Sequence, residues 1–203
     1  MTEIGLFPLS LVLLPSERIP LHIFEERYQE LIGECLAGDD EFGLVYADDD
    51  GIREIGTRAG VVEVLERFDD GRMNVLIEGR ERFRLVELTS GRSFHTGEVT
   101  PVDDGDERPD ETVVERALAL FTRLRELTGS DVEVPAPRTE QLSFALASRV
   151  ELEPEIKLGL LAELSERARL DRVCELLEAA SVAVERQRFA AERAATNGRV
   201  HFG

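Results

Sequence analysis

The chain has 203 residues, 42% of them hydrophobic, which is enough for one large domain or two small ones with a true core. Its 42 acidic residues outnumber 24 basic ones, and a net charge of -18 repels phosphate backbones and anionic lipid headgroups. Nucleic acid and membrane surfaces are therefore excluded as expected partners, and the charge itself reads as a solubility device.

The opening is apolar, from Ile4-Gly5-Leu6-Phe7-Pro8 to Leu14-Pro15, but it carries Glu3, no basic n-region and no small-residue cleavage site. No run approaches the length of a membrane span. Cys35 and Cys174 lie in unrelated segments without Cys-x-x-Cys spacing, the usage of a reducing compartment. The expectation is a cytoplasmic protein.

The segment Leu6-Phe7-Pro8-Leu9, Pro15 and Ile19-Pro20-Leu21-His22-Ile23-Phe24 joins apolar bulk to rigid, extended backbone. It reads as a barrel wall, or as a rim or edge that receives extended peptide, where the prolines keep that edge from self-pairing. A helix follows from about Glu25 to Leu36, with Tyr28, Leu31, Ile32 and Cys35 on one face. Phe42 to Ala47 is a short apolar strand ended by Asp48-Asp49-Asp50-Gly51. Val61-Val62-Glu63-Val64-Leu65 and the alternating Met73, Val75 and Ile77 form a hairpin through Asp69-Asp70-Gly71. Arg82-Phe83-Arg84-Leu85 starts a third strand, and Phe94 to Val99 supplies a fourth. Several short strands and a lone helix predict a small, partly closed β-barrel over residues 1–102.

Residues 103–112 are crowded with Asp103, Asp104, Gly105, Glu107 and Pro109 and predict an acidic linker. Beyond it the period becomes helical, so the predicted fold class is α+β, a barrel followed by a helical bundle over 113–196. Val113, Ala117, Leu120, Phe121, Leu124 and Leu127 make a first stripe that Gly129 ends. Leu142 to Leu146 mark a second helix, and Pro154 opens a third with Ile156, Leu160 and Leu161. Leu170, Val173, Cys174, Leu177, Ala180 and Val184 define a fourth, which the stretch Glu185 to Ala195 extends beyond the body. Residues 197–203 are predicted to be a loose tail.

Catalytic patterns are missing. Gly51-Ile52-Arg53-Glu54-Ile55-Gly56 has the glycine spacing of a phosphate loop, but Thr57-Arg58 stand where Lys and Ser or Thr are needed, and a strand follows where a helix is needed. Lys157 is the only lysine, lies within a predicted helix and reads as a surface residue. No Gly-x-Ser-x-Gly elbow occurs, and His22, His95 and His201 share no metal-ligand spacing. The expectation is no catalytic residue, no cofactor and no metal.

The order Leu6-Phe7-Pro8-Leu9, Pro15, Ile19-Pro20-Leu21-His22-Ile23-Phe24-Glu25 and Arg27-Tyr28 resembles the opening of the Lon protease N-terminal (substrate-binding) domain. The likeness continues at Glu54-Ile55-Gly56-Thr57, Asp70-Gly71-Arg72, Val75 through Phe83, Leu142 through Leu146, Glu155 through Leu161, Arg169-Leu170 and Leu176-Leu177, roughly residues 4 to 185. The resemblance implies a PUA-like β-barrel followed by a helical bundle. In full-length Lon this region helps capture unfolded or tagged substrates, and ATPase and Ser-Lys protease modules follow it. Here the chain stops first, so the expectation is a stand-alone, non-catalytic binder of unfolded or extended polypeptide, an adaptor or regulator in proteolysis or quality control. The candidate peptide-binding residues are Phe7, Pro20, His22, Phe24 and Tyr28, with Arg80 and Arg82 as polar contacts. The alternative is a self-associating interaction protein with a dedicated folded partner, forming a homodimer through the helix Leu170 to Ala195. A peptidase ranks last.

Overall fold

The computed structural model describes residues 1–105 and 107–197. The chain divides into two compact units, Met1–Asp106 with Ala147–Leu164, and Glu107–Leu146 with the chain from Ser165 onward.

In the first unit, β1 (Thr2–Leu9) pairs antiparallel with β7 (His95–Pro101) and parallel with β3 (Phe42–Asp48). β6 (Met73–Thr89) and β5 (Ile55–Arg67) complete the ring β1-β7-β6-β5-β3, so the barrel is closed by the β1–β3 pairing. β2 (Arg18–Ile23) pairs with the first half of β6, and the two-residue β4 (Gly51–Ile52) pairs with β3. The predicted hairpin is present, with Gly71 in the left-handed region at φ 88° and its N–H on the Phe68 carbonyl. One difference concerns length: the two strands expected around Met73 and Arg82 are one 17-residue strand, β6. It continues because its second half changes partners, from β2 to β7.

Ile4, Leu6, Val45, Phe83 and Val99 fill the barrel. A second, larger core includes Tyr28, Leu31, Ile32 and Cys35 of α1 (Glu26–Gly38) together with Phe7, Ile23, Phe42, Val75 and Ile77. Phe7 and Tyr28 stack at 4.0 Å within it. Burial here pushes the Cys35 thiol up to about 11, with Asp40 and Glu34 adding to the effect, and raises Tyr28 as well.

Helix α4 (Pro154–Ala162) was expected in the bundle, and this is corrected: residues 147–164 belong with the barrel. Two cations explain it. Lys157 is half-buried, pairs with Glu17 at 2.5 Å and donates to the Val12 carbonyl at 3.3 Å, so the only lysine is a tether and not a free surface residue. Arg82 donates to the carbonyls of Leu161 at 2.7 Å and Glu163 at 2.9 Å, at the negative end of the helix, and pairs with Asp104. Val102 and Gly105 also bond back, to Arg82 and Leu164, so the start of the expected linker is fastened to this unit.

In the second unit α2 (Glu111–Thr128) ends on Gly129, which is left-handed at φ 68° as its position predicts. Its Ala117, Phe121 and Leu124 are buried, as are Leu170, Val173, Cys174 and Leu177 of α5 (Glu166–Asn197). Arg116–Glu178 and Arg123–Glu185 bridge the two helices with the same separation of 62 residues, so α2 and α5 run parallel. Arg169 is fully buried over the Phe144 ring of α3 (Leu142–Ala147), 4.0 Å from its centre, and is held by Glu166 and the Ser143 hydroxyl. Helix α5 covers the stretch expected to extend it; the expected tail beyond Asn197 lies outside the described residues.

The burial of Arg82 sets a contrast with Arg80, whose ion pair to Glu41 is exposed. Arg82→Met is expected to cost about 3–5 kcal/mol in urea unfolding, and Arg80→Met less than about 1 kcal/mol. The raised thiol and phenol give an alkaline limit. Each folded-state value lies above the unfolded one, so their stabilisation is complete below the ordinary values and is lost as pH rises through the raised ones. Thermal unfolding should shift to lower temperature between pH 9 and pH 11, and Cys35→Ala should reduce that shift.

Candidate functional site

β2, the first half of β6 and the second half of β5 lie side by side past the part of the sheet that closes the ring, and their rows are set by register. Arg18 stands beside Glu78, Pro20 beside Leu76 and Glu63, and His22 beside Asn74 and Glu66. Residues of odd number on β2 and β6, such as Ile19, Ile23, Met73, Val75 and Ile77, turn to the core. The even ones face the other way, so Pro20 and His22 are exposed.

At one end of this outer face the chain leaves β2 at Phe24, which is 61% exposed. The His22 ring stacks on Phe24 at 5.9 Å and meets the edge of Phe68 at 6.2 Å. Arg72 lies 5.2 Å over Phe68, and Asp70 holds the hairpin tip by accepting the Arg72 N–H and guanidinium. The Arg72 N–H, foremost, keeps the Asp70 carboxyl below the usual carboxylate range. Asn74 gives its amide N–H to Glu66 at 3.0 Å, so its Oδ1 faces the His22 Nδ1 at 2.7 Å. His22 must then carry its proton on Nδ1, which leaves Nε2 of the neutral ring as an acceptor.

Two register shifts in β5 place Val62 and Leu65 in bulges, and these side chains are 43% and 49% exposed. Sequence reading did not select them, because an apolar residue in an alternating strand reads as core; the doubled valines at 61–62 were the available signal.

The seven candidates separate by burial. Pro20, His22 and Phe24 come together on the outer face. Arg80 is exposed but occupied by Glu41. Phe7, Tyr28 and Arg82 are corrected as candidate contacts: all three are buried, the rings in the core and the guanidinium against α4. An aromatic or arginine in a motif does not reveal which side of the wall it faces. His95 is exposed on β7, and His201 lies outside the described residues.

Elsewhere in the first unit a cleft of about 610 Å³ opens beside the end of α1, with Glu3, Glu34, Asp39, Asp40, Arg58 and Arg92 among its walls. Arg92 is paired with Glu34, and none of the sequence-selected residues reaches it. Gly51 and Gly56 lie in strands β4 and β5, and the segment that follows Gly56 directly is strand, not a helix N-terminus. Among the described residues no helix is long and apolar enough to cross a membrane, and no group of three or more His, Cys, Asp or Glu is placed to hold a metal ion.

Comparison with known proteins gives the fold a family. The chain is 29% identical over 180 residues to the Lon protease of Flavobacterium johnsoniae, covering 77% of this chain and 22% of that one. It is 27% identical over 190 residues to the Lon protease of Brucella abortus, covering 84% and 23%. The chain thus spans less than a quarter of the length of these relatives. Among solved structures, a Lon N-terminal domain protein from Xanthomonas campestris superposes with a TM-score of 0.66 at 26% identity, over 85% of this chain and 97% of that one. The N-terminal domain of the Mycobacterium avium complex Lon protease gives 0.68 at 16% identity, over 87% and 98%, a likeness of fold alone. The α+β architecture agrees with these neighbours. The model of the ATP-dependent protease La (LON) substrate-binding domain matches residues 3–179, and the chain belongs to that family.

Proposed function

We propose that the chain is a non-catalytic polypeptide-binding module, an adaptor or regulator in proteolysis or protein quality control, which captures extended segments on the outer face of β2, β6 and β5. The observation that carries this reading is the exposed cluster of Phe24, His22 and Pro20 beside Phe68, on a sheet whose β5 also exposes two bulged aliphatics. A large ring held in water by a rigid hairpin has an unspent apolar contribution that a bound segment can use. Family membership supports the class of ligand, since the matching region is a substrate-binding domain and not a protease domain. The net charge of -18 favours segments whose apolar residues are flanked by Lys or Arg.

The test is fluorescence anisotropy of a fluorescein-labelled, reduced and carboxymethylated polypeptide titrated with the protein at low and high salt. Saturable binding that survives high salt is expected, because apolar contact is not screened. Fully burying a phenylalanine is worth about 1.5–3 kcal/mol; Phe24 is 61% exposed and has about that fraction left to contribute, so Phe24→Ser should weaken binding roughly five- to twentyfold while leaving the unfolding midpoint unchanged. No binding at either salt contradicts the reading. Casein should stay intact with the protein alone, and its degradation would contradict the non-catalytic assignment.

A second reading, self-association, has its own observation. Val182 and Phe189 of α5 are exposed, seven residues apart on one face of the helix, with Arg193 5.8 Å over the Phe189 ring. Truncation after Glu185 separates the two: it should abolish a dimer, if this helix forms one, and leave polypeptide binding intact.

A further inference from the structure

Among the described residues, strand β2 is hydrogen-bonded on one side only. Its register sets Pro20 opposite Leu76 of β6. Proline has no N–H, so this pair cannot exchange the two bonds of a hydrogen-bonded pair. Alternation then fixes the rest of the strand. Ile19, Leu21 and Ile23 turn their backbone groups to β6, while Arg18, Pro20 and His22 turn theirs away from it. Among the described residues no strand or loop backbone bonds to that outer side. It presents the N–H groups of Arg18 and His22 and the carbonyls of Arg18, Pro20 and His22, all on exposed residues.

We infer that a captured segment joins the sheet as an added strand along this outer side of β2. The inference rests on the polypeptide-binding reading above and gives it a mode. Spaced two residues apart, the open groups match the donors and acceptors of another extended backbone and of little else. The same strand carries Pro20 and His22 on its outward face and leads into Phe24, so the added strand's outward side chains run beside Pro20 and toward the aromatic end.

The occupant is a foreign segment and not a second β2. Two β2 edges paired antiparallel about Pro20 would set proline against proline, with no donor on either side of the central pair. Two copies of net charge -18 also repel. A foreign segment of about six residues, matching the six of β2, supplies the missing N–H to the Pro20 carbonyl. Its chemistry follows: no proline where its backbone faces β2, an apolar residue at the centre, and basic residues at the flanks.

The probe is a fluorescein-labelled peptide Lys-Thr-Val-Phe-Val-Thr-Lys, compared with the same peptide N-methylated at its phenylalanine and both threonines, the alternate residues whose N–H groups face β2 when the phenylalanine lies opposite Pro20. N-methylation keeps the side chains and removes the donors. It is expected to weaken binding to the wild-type protein at least tenfold, as loss of more than one backbone bond requires. On the protein, His22→Pro is compared with His22→Ala. Both lose the imidazole, but only proline removes the outward N–H, which the β2–β6 ladder does not use. His22→Pro should bind roughly three- to tenfold more weakly than His22→Ala at an unchanged unfolding midpoint, as loss of one backbone bond requires. If His22→Pro fails to fold, the methylated peptide on wild-type protein decides alone. Equal binding of the two peptides overturns strand addition, and the polypeptide-binding reading stands if the carboxymethylated chain still binds. Failure of every probe to bind overturns both.

Discussion

The first unit depends on one short piece of β6, from Gly79 to Arg82. Gly79 exchanges bonds with the loop ahead of β2, its carbonyl taking the Ser16 N–H at 2.8 Å and its N–H reaching the Glu17 carbonyl at 2.9 Å. A Cβ at this position would stand 2.1 Å from the Leu14 carbonyl oxygen, so only glycine lets the two backbones approach. Three residues on, the buried Arg82 guanidinium donates to the last carbonyls of α4 and to the Asp104 carboxylate. A charge so placed is costly unless every partner is kept, which makes the position of α4 a consequence of β6 and not of helix propensity.

From that piece the open edge follows. The Gly79 crossing sets Arg18 opposite Glu78, and with it the register that sets Pro20 opposite Leu76. Glu17, fixed between the Leu14 N–H and Lys157, anchors the same loop from the other side. β2 is therefore a rigid strand with one free side, guarded by proline against its own kind and open to others. Rigidity matters for affinity, because a preordered edge leaves only the incoming segment to lose conformational freedom. The two bulges of β5 add exposed aliphatic surface to the same sheet.

Much of this was legible in the sequence, and the limits have physical causes. Alternation at Met73, Val75 and Ile77 and the Asp-Asp-Gly turn located the hairpin, and the stripes with Gly129 and Pro154 located the helices, because those patterns are local. Helical period identifies an apolar stripe but not what covers it, so the pattern of α4 does not reveal that it belongs with the barrel. Lys157 looked like a surface residue because its partner Glu17 is 140 positions away. Phe7, Tyr28 and Arg82 were misplaced for a related reason: residue type records that a side chain is bulky or charged, and only the register of β1, α1 and β6 decides whether it faces core or solvent. Pro20, His22 and Phe24 lie on one face because they take alternate positions along β2 and its exit, a spacing that is local in sequence.

Residue-resolved amide hydrogen exchange, with and without the carboxymethylated polypeptide, tests the open edge most directly. In the free protein the amides of Ile19, Leu21 and Ile23 should exchange slowly and those of Arg18 and His22 fast, because only the first set bonds to β6. On binding, the Arg18 and His22 amides should become protected. Unchanged fast exchange at both in a saturated complex would contradict the account, and so would slow exchange at His22 in the free protein.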